Sequence, residues 1–251
     1  ACSPLRRLFG GEEVEVALPP PRAIAGRADE PALPILLEGD DFVVVDKPAG
    51  LPVEPAGPRS PSAVGAVARQ LPCDVAGRAA PGLPHRIDRD TSGCLLLART
   101  DRGLAALRGA FEEGSVEKTY LALVAGEPPD AGRLDTPYAR DPADARRFTT
   151  RVPSARRARL SFRVERRLAG AALLEVRLET GRTHQIRVQL AEAGWPILGD
   201  ATYGTPSPAI GRQALHAWRL AFPRPDGGVP ARVEAPLPAD LQRALALTDR
   251  R

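Results

Sequence analysis

The chain has 251 residues, 43% hydrophobic, 26% charged and 4% aromatic, the make-up of a globular protein long enough for one large domain or two modest ones. No run of about 18 apolar residues occurs and the first residues lack an apolar core, which excludes a helical membrane span and a signal peptide and leads us to expect a cytoplasmic protein. The formal charge of +4 is unevenly spread: residues 140–167 hold ten arginines against Asp141, Asp144 and Glu165, a local net of +7, so the remainder is slightly acidic. Guanidinium matches phosphate in bidentate geometry, so this stretch points to a polyanion partner. The competing reading is ordinary surface charge in an arginine-rich composition, since Lys47 and Lys118 are the only lysines. No Met occurs, even at position 1, so a processed or trimmed start is expected.

Residues 1–33 are rich in proline and charge, with one alternating run, Val14, Val16 and Leu18, ended by Pro19, Pro20 and Pro21; they are expected to form an extension with a short strand and a linker. A main domain is expected over 34–251. Phe42 to Val45 predicts a strand, Lys47-Pro48-Ala49-Gly50 a turn, and 60–71 a helix. Leu95 to Ala98 predicts a buried strand. Leu104, Leu107 and Phe111, spaced for one helix face behind Thr100 and Asp101, predict a capped helix. Strands are then predicted at 120–124, 158–165 and 173–179, a helix at 183–193, and a last helix carrying Leu237, Leu241 and Leu245. Long strand runs between separate helices, with no regular β-α alternation, predict an α+β fold with a largely antiparallel sheet.

Cofactor chemistries find little support. There is no G-x-G-x-x-G fingerprint, and neither lysine follows a glycine, so the loops that cradle nucleotide phosphates are missing. Cys2, Cys73 and Cys94 form no C-x-x-C pair, which argues against a disulfide framework or a cysteine zinc site. His85, Asp88 and Asp90 are metal-ligand types, but in an extended segment 88 and 90 share a face that 85 opposes. No metal and no cofactor are expected.

The densest polar block is Pro84-His85-Arg86-Ile87-Asp88-Arg89-Asp90-Thr91-Ser92-Gly93. Read structurally, it is a turn in which Asp90, Thr91 and Ser92 satisfy backbone groups and Gly93 supplies an unusual dihedral. Read chemically, Arg86 and Arg89 flank a carboxylate and favour its ionised form, as a nucleophile or base requires.

This block resembles the H-R-L-D-x-x-T-S-G signature of RluA-type RNA pseudouridine synthases. Four further segments resemble the same family in order: Val45-Asp46-Lys47-Pro48-Ala49-Gly50-Leu51, Glu117-Lys118-Thr119-Tyr120-Leu121, Thr180-Gly181-Arg182-Thr183-His184-Gln185-Ile186-Arg187 with Gly199-Asp200 and Tyr203-Gly204, and Leu215-His216-Ala217. The resemblance implies the pseudouridine synthase core, a mixed and mainly antiparallel sheet with flanking helices and a central RNA-binding cleft. It implies an isomerase that breaks the N1–C1′ bond of a uridine in structured RNA, ribosomal before transfer RNA, turns the uracil and rejoins it through C5. Asp88 is implied as the catalytic carboxylate, attacking C1′ or removing a ribose proton. Arg187 is implied as its partner and Tyr120 as the aromatic under the target base. Arg86 is expected to fill the gap left by the flipped base. His85, Arg89, Thr91, Lys118, Arg182, His184 and Gln185 are expected to bind substrate, and Arg146 and Arg147, within the arginine stretch, to hold phosphates.

Two departures stand out. Residues 1–33 resemble at most the end of an S4-type domain, and Glu54 stands where the family often has His. The alternative reading, a non-catalytic RNA-binding or ribosome-assembly protein on the same scaffold, predicts loss of Asp88, Tyr120 or Arg187, and all three are present. A hydrolase using Asp88 would want a second, opposed carboxylate, for which Asp90 is too near in sequence. The protein is expected to act as a monomer.

Overall fold

The computed structural model describes residues 29–57, 60–204 and 206–249, so the expected strand at 14–18 lies outside the described residues. Strands β1 (Ile35–Glu38) and β2 (Phe42–Lys47) form a hairpin and lead to helix α1 (Ala63–Gln70). Strand β3 (Ser92–Ala98), helix α2 (Asp101–Glu112), strand β4 (Glu117–Ala125) and strand β5 (Ala131–Pro137) follow. Two short strands, β6 (Ala139–Arg140) and β7 (Phe148–Thr149), pair with each other, then β8 (Arg157–Leu168) and β9 (Ala171–Leu178) return to the main sheet. Helix α3 (Gln185–Glu192), strands β10 (Leu215–Phe222) and β11 (Ala231–Glu234), and helix α4 (Ala239–Asp249) complete the described chain.

The sheet runs β1-β2-β3-β10-β4-β9-β8-β5, with β11 on the far part of β10. Every pairing is antiparallel except β3 with β10. Residues two apart share a face, and β2 and β3 are buried on both. Val43, Val45, Leu95 and Leu97 join a core with α1, α3 and α4, whereas Phe42, Val44, Leu96 and Ala98 join a second core with Leu107 and Ala110 of α2. That two-sided burial explains their near-continuous apolar runs.

Local signals account for most boundaries. Thr100 caps α2 by accepting from Gly103 N–H at 3.0 Å, and Ser62 caps α1 by accepting from Gly65 N–H at 3.0 Å, so α1 starts later than the expected 60. The expected helix at 183–193 begins at Gln185, because His184 sits in the left-handed region (φ 56°, ψ 18°) and cannot continue an α-helix. The last helix begins at Ala239, leaving Leu237 ahead of it, while Leu241 and Leu245 are buried as expected. Strand β5 carries no apolar alternation strong enough to announce it: Ala-Gly-Arg-Leu-Asp-Thr-Pro is an exposed edge, set by pairing with β8.

The middle of the sheet creates the site. Where β3 and β10 run parallel, His216 faces Ser92 and Ala217 faces Gly93, while Ala217 also faces Tyr120 of β4. The loop entering β3, the start of β4 and the N-terminal end of α3 therefore converge. Gly93 makes that approach possible. Its φ is +108°, and a Cβ there would lie 2.2 Å from the Ala217 carbonyl oxygen.

Candidate active site

The convergence forms an open cleft of about 880 Å³, lined by residues of the 84–91 loop, α2, β4, the 181–187 segment and the turn before β10. Asp88 stands at its floor. Its Oδ2 accepts a hydrogen bond of 3.1 Å from Nη1 of Arg187, whose other two nitrogens donate to Asp200: Nε to Oδ2 at 2.7 Å and Nη2 to Oδ1 at 2.9 Å. The side chain of Arg187 is 7% exposed, that of Asp200 0% and that of Asp88 23%. The reachable carboxylate thus rests on an unreachable ion pair. Burial works against the Arg187 charge, but the hydrogen bonds and charge of Asp200, then Asp88, more than offset it and raise its pKa above the ordinary arginine value. Burial likewise opposes ionisation of Asp200, and Arg187 together with the Thr202 and Tyr203 N–H groups overcomes it, leaving the pKa lowered.

The loop bearing Asp88 has no regular structure, and its backbone is pinned from three sides. Lys47, wholly buried, donates to Arg89 O, Pro48 O and Leu51 O, each at 2.8 Å. Burial pulls its pKa down to about 7, while three carbonyls saturate the three donors that only the ammonium form possesses. Arg212, fixed by two bonds to Asp240, donates to Asp90 O and to Ser92 Oγ. The third support is Thr91. It is 1% exposed, donates its N–H to Asp88 O at 3.1 Å, and accepts from Gln213 Nε2 at 3.3 Å. Thr91 therefore shapes the loop, while also standing among the residues that line the cleft.

The other expected residues divide in the same way. Tyr120 is buried at the floor of the cleft, and burial followed by the charge of Asp88 raises its hydroxyl pKa. Lys118 lines the cleft half-buried, its Nζ 5.5 Å from the centre of the Phe111 ring, with desolvation lowering its pKa. Arg86, Arg89 and Arg182 are exposed at the rim; Arg86 lies 3.6 Å from Glu54 and Arg89 pairs with Asp90 at 3.1 Å. His85 also borders the cleft, but its Nε2 accepts from Leu96 N–H at 3.0 Å and its ring stacks on Phe111. Burial, then Lys118, pushes its pKa down to about 3, so it is a neutral wall that fixes the loop to β3. Gln185 is 2% exposed with both amide atoms committed: Oε1 accepts from Thr180 Oγ1 and Arg182 N–H, and Nε2 donates to Arg159 O. It braces the 180–185 turn at the edge of the cleft.

Arg146 and Arg147 do not line the cleft; they lie on the β6–β7 hairpin beside it. The expected cationic stretch is also largely neutralised in space. Arg146 pairs with Asp144, Arg151 with Glu192, Arg157 with Asp135, Arg159 with Glu179, Arg163 with Glu165 and Glu175, and Arg167 with Asp130. Counting charge along the chain missed partners that β-pairing brings from elsewhere. Arg140 and Arg147 make no ion pair among the described residues; they lie 4.3 and 5.1 Å from the centres of the Phe148 and Tyr203 rings.

Sequence reasoning passed over Asp200, Lys47 and Arg212 as site residues. Asp200 and Lys47 stand inside segments already singled out, and a buried charged residue in such a segment was the available signal. Arg212 carries no such mark, because its partners come from three separate places in the chain, 90–92, 213–215 and Asp240.

The chain matches the family model for RNA pseudouridylate synthase over residues 41–192. It is 41% identical over 239 residues to an uncharacterized RNA pseudouridine synthase of Chloroflexus aurantiacus, covering 94% of this chain and 75% of that one. It is 38% identical over 243 residues to ribosomal large subunit pseudouridine synthase D of Zymomonas mobilis, covering 90% and 76%. Among solved structures, human RNA pseudouridylate synthase domain containing 4 superposes with a TM-score of 0.67 at 25% identity, over 85% of this chain and 92% of that one. Human RNA pseudouridylate synthase domain containing 1 shares the fold, with a TM-score of 0.69 at 23% identity over 86% and 85%.

Proposed function

The chain belongs to the RNA pseudouridylate synthase family, as an RNA pseudouridine synthase of the RluA type, and from that premise we propose that it isomerises uridine in large-subunit ribosomal RNA with Asp88 as the reacting carboxylate. The observation that carries the assignment of Asp88 is its position: a part-exposed carboxylate lining an open cleft of about 880 Å³, bound to a guanidinium that is itself locked by Asp200.

Uridine and pseudouridine are isomers, so the reaction consumes no co-substrate. It needs the N1–C1′ bond opened, the uracil turned, a C5–C1′ bond made and the C5 proton released. Asp88 either attacks C1′ or takes a ribose proton, and in both cases must enter as the anion. Arg187 supports that anion and aims Oδ2, since its other two hydrogen bonds leave the guanidinium no freedom to rotate. Tyr120, beside Asp88, offers a ring face for the uracil.

A base inside a helix must leave its stack to reach this floor. Arg86 at the rim is suited to fill the space left behind, held ready by Glu54. Arg89, Lys118 and Arg182 are placed to meet phosphates around the extruded nucleotide, and Arg140 and Arg147 to meet phosphates further along. The name ribosomal large subunit pseudouridine synthase D, carried by relatives in Zymomonas mobilis and Xanthomonas campestris, supports ribosomal RNA as substrate.

The test is tritium release from RNA labelled at uracil C5 and taken from a strain lacking the protein. Release by the wild type and not by Asp88→Asn is expected, from ribosomal and not transfer RNA. Release from transfer RNA alone would overturn the substrate, and binding without release would favour a non-catalytic RNA-binding protein.

A further inference from the structure

His184 lines the cleft directly ahead of α3, and its conformation is unusual. With Ala76 it is one of two non-glycine residues at positive φ among the described residues. A side chain at such a position carries a strain that glycine would avoid. Nor does His184 cap the helix: its side chain makes no hydrogen bond to the first turn. The imidazole is turned instead toward Tyr203, with Nδ1 3.1 Å from the Tyr203 hydroxyl.

The Tyr203 hydroxyl accepts from Phe148 N–H at 2.9 Å and keeps its own proton to donate. Among the described residues Nδ1 is the acceptor within reach of that proton. With the hydroxyl donating to it, the neutral imidazole carries its hydrogen on Nε2. The ring is held edge-on to Phe148 and Tyr203, at interplanar angles of 90° and 74°. Burial lowers its pKa and favours the neutral form, opposed by the charge of Asp88. Nε2 has no partner among the described residues.

We propose that His184 presents a fixed Nε2–H donor to a carbonyl oxygen of the target uracil and stabilises the base as it leaves C1′. The inference rests on the isomerase reading above. When the N1–C1′ bond opens, its electron pair stays with the uracil and spreads onto the carbonyl oxygens. A donor already aimed there binds the anion more strongly than the neutral base, so it lowers the barrier without moving a proton. The chain of donors, Phe148 N–H to Tyr203 hydroxyl to His184 to uracil, also couples the β6–β7 hairpin to the base. This gives the strained backbone at 184 a purpose that helix capping does not.

Three measurements test it. Nitrogen-15 NMR of the wild-type protein without RNA should show protonated Nε2 and bare Nδ1 at His184; the opposite tautomer overturns the proposal. Single-turnover rates at saturating RNA should fall by about 10²-fold for His184→Ala, the usual effect of removing one such donor, with RNA affinity within a few-fold. His184→Gln, whose amide reaches the Nε2 position, should recover part of the loss, with thermal melts showing both variants folded. An unchanged rate, or a rate and affinity falling together without rescue, overturns it. Finally, RNA bearing 2-thiouridine or 4-thiouridine at the target weakens one acceptor at a time. The wild type should be slowed by one of the two and His184→Ala by neither; equal slowing of both proteins overturns it. Pseudouridine formation by the wild type with Asp88→Asn as control checks the isomerase reading separately, and the NMR result does not depend on it.

Discussion

Asp200 takes two of the hydrogen bonds of Arg187, at 2.7 and 2.9 Å, and leaves a single donor, Nη1, for Asp88. The two carboxylates around this guanidinium therefore do different work, one structural and one chemical. Asp200→Asn removes the buried counter-charge of a 7% exposed arginine and should cost about 3–5 kcal/mol of stability, with activity falling because Arg187 is no longer aimed. Asp88→Asn should cost roughly 1 kcal/mol or less, since Arg187 keeps both bonds to Asp200, yet should abolish pseudouridine formation. Urea denaturation midpoints read beside activity make the comparison. Equal stability losses from the two substitutions would show that the division of labour is wrong.

On the proposed function Tyr120 contributes a ring face, and burial, then Asp88, raises its hydroxyl pKa and disfavours loss of its proton. Tyr120→Phe should therefore keep most of the stacking and Tyr120→Leu lose it, with a difference of about 1–3 kcal/mol in transition-state stabilisation. Initial rates at subsaturating RNA give that difference directly. A Phe variant as impaired as the Leu variant would mean the hydroxyl acts in its own right.

Where neighbours in sequence determine structure, the sequence was readable. The Thr100 cap, the α2 face of Leu104 and Leu107, and the two-sided burial of β3 follow from local pattern and were expected. The floor of the site was half visible: the segments holding Asp88, Tyr120 and Arg187 could be picked out, and the structure brings them together. What pattern could not supply is pairing between distant residues. Asp200 as anchor of Arg187, Lys47 under the Asp88 loop, and Glu175 and Glu179 as partners of Arg163 and Arg159 depend on strand register and loop closure. The same gap hid the loop-holding bonds of Thr91, His85 and Gln185, whose polar atoms tie the walls of the cleft together.

His216 predicts an acid limit to stability. It is wholly buried, with Nδ1 2.9 Å from Ser92 Oγ, and burial pushes its pKa down to about 4. The unfolded chain, with an ordinary histidine pKa near 6.5, binds more protons than the fold between these two values. The stabilisation is thus fully present above pH 6.5 and is lost as pH falls toward 4, by about 2 kcal/mol at pH 5. His85 acts in the same direction. His216→Gln should lower stability at pH 7.5 but flatten its decline to pH 5 relative to wild type. Parallel declines would exclude His216 as a source.

Arginine placement predicts which charges RNA feels. Arg163 is shared by Glu165 and Glu175, so its charge is already answered within the protein. Arg140 is held by the Phe148 ring and by the Ala145 carbonyl at 2.7 Å, and Arg147 lies over Tyr203 with its Nε lacking any hydrogen-bond partner among the described residues. Neither guanidinium makes an ion pair among the described residues, the arrangement that suits capture of a phosphate. Each phosphate contact displaces condensed counterions, so losing one should reduce the slope of log affinity against log salt by roughly 0.7 to 0.9. Arg140→Gln and Arg147→Gln should each reduce it by about that amount, and Arg163→Gln should leave it unchanged. Filter binding across a salt series reads these slopes, and a fall for Arg163→Gln as large as for Arg140→Gln would show that pairing with carboxylates does not remove an arginine from the RNA contact.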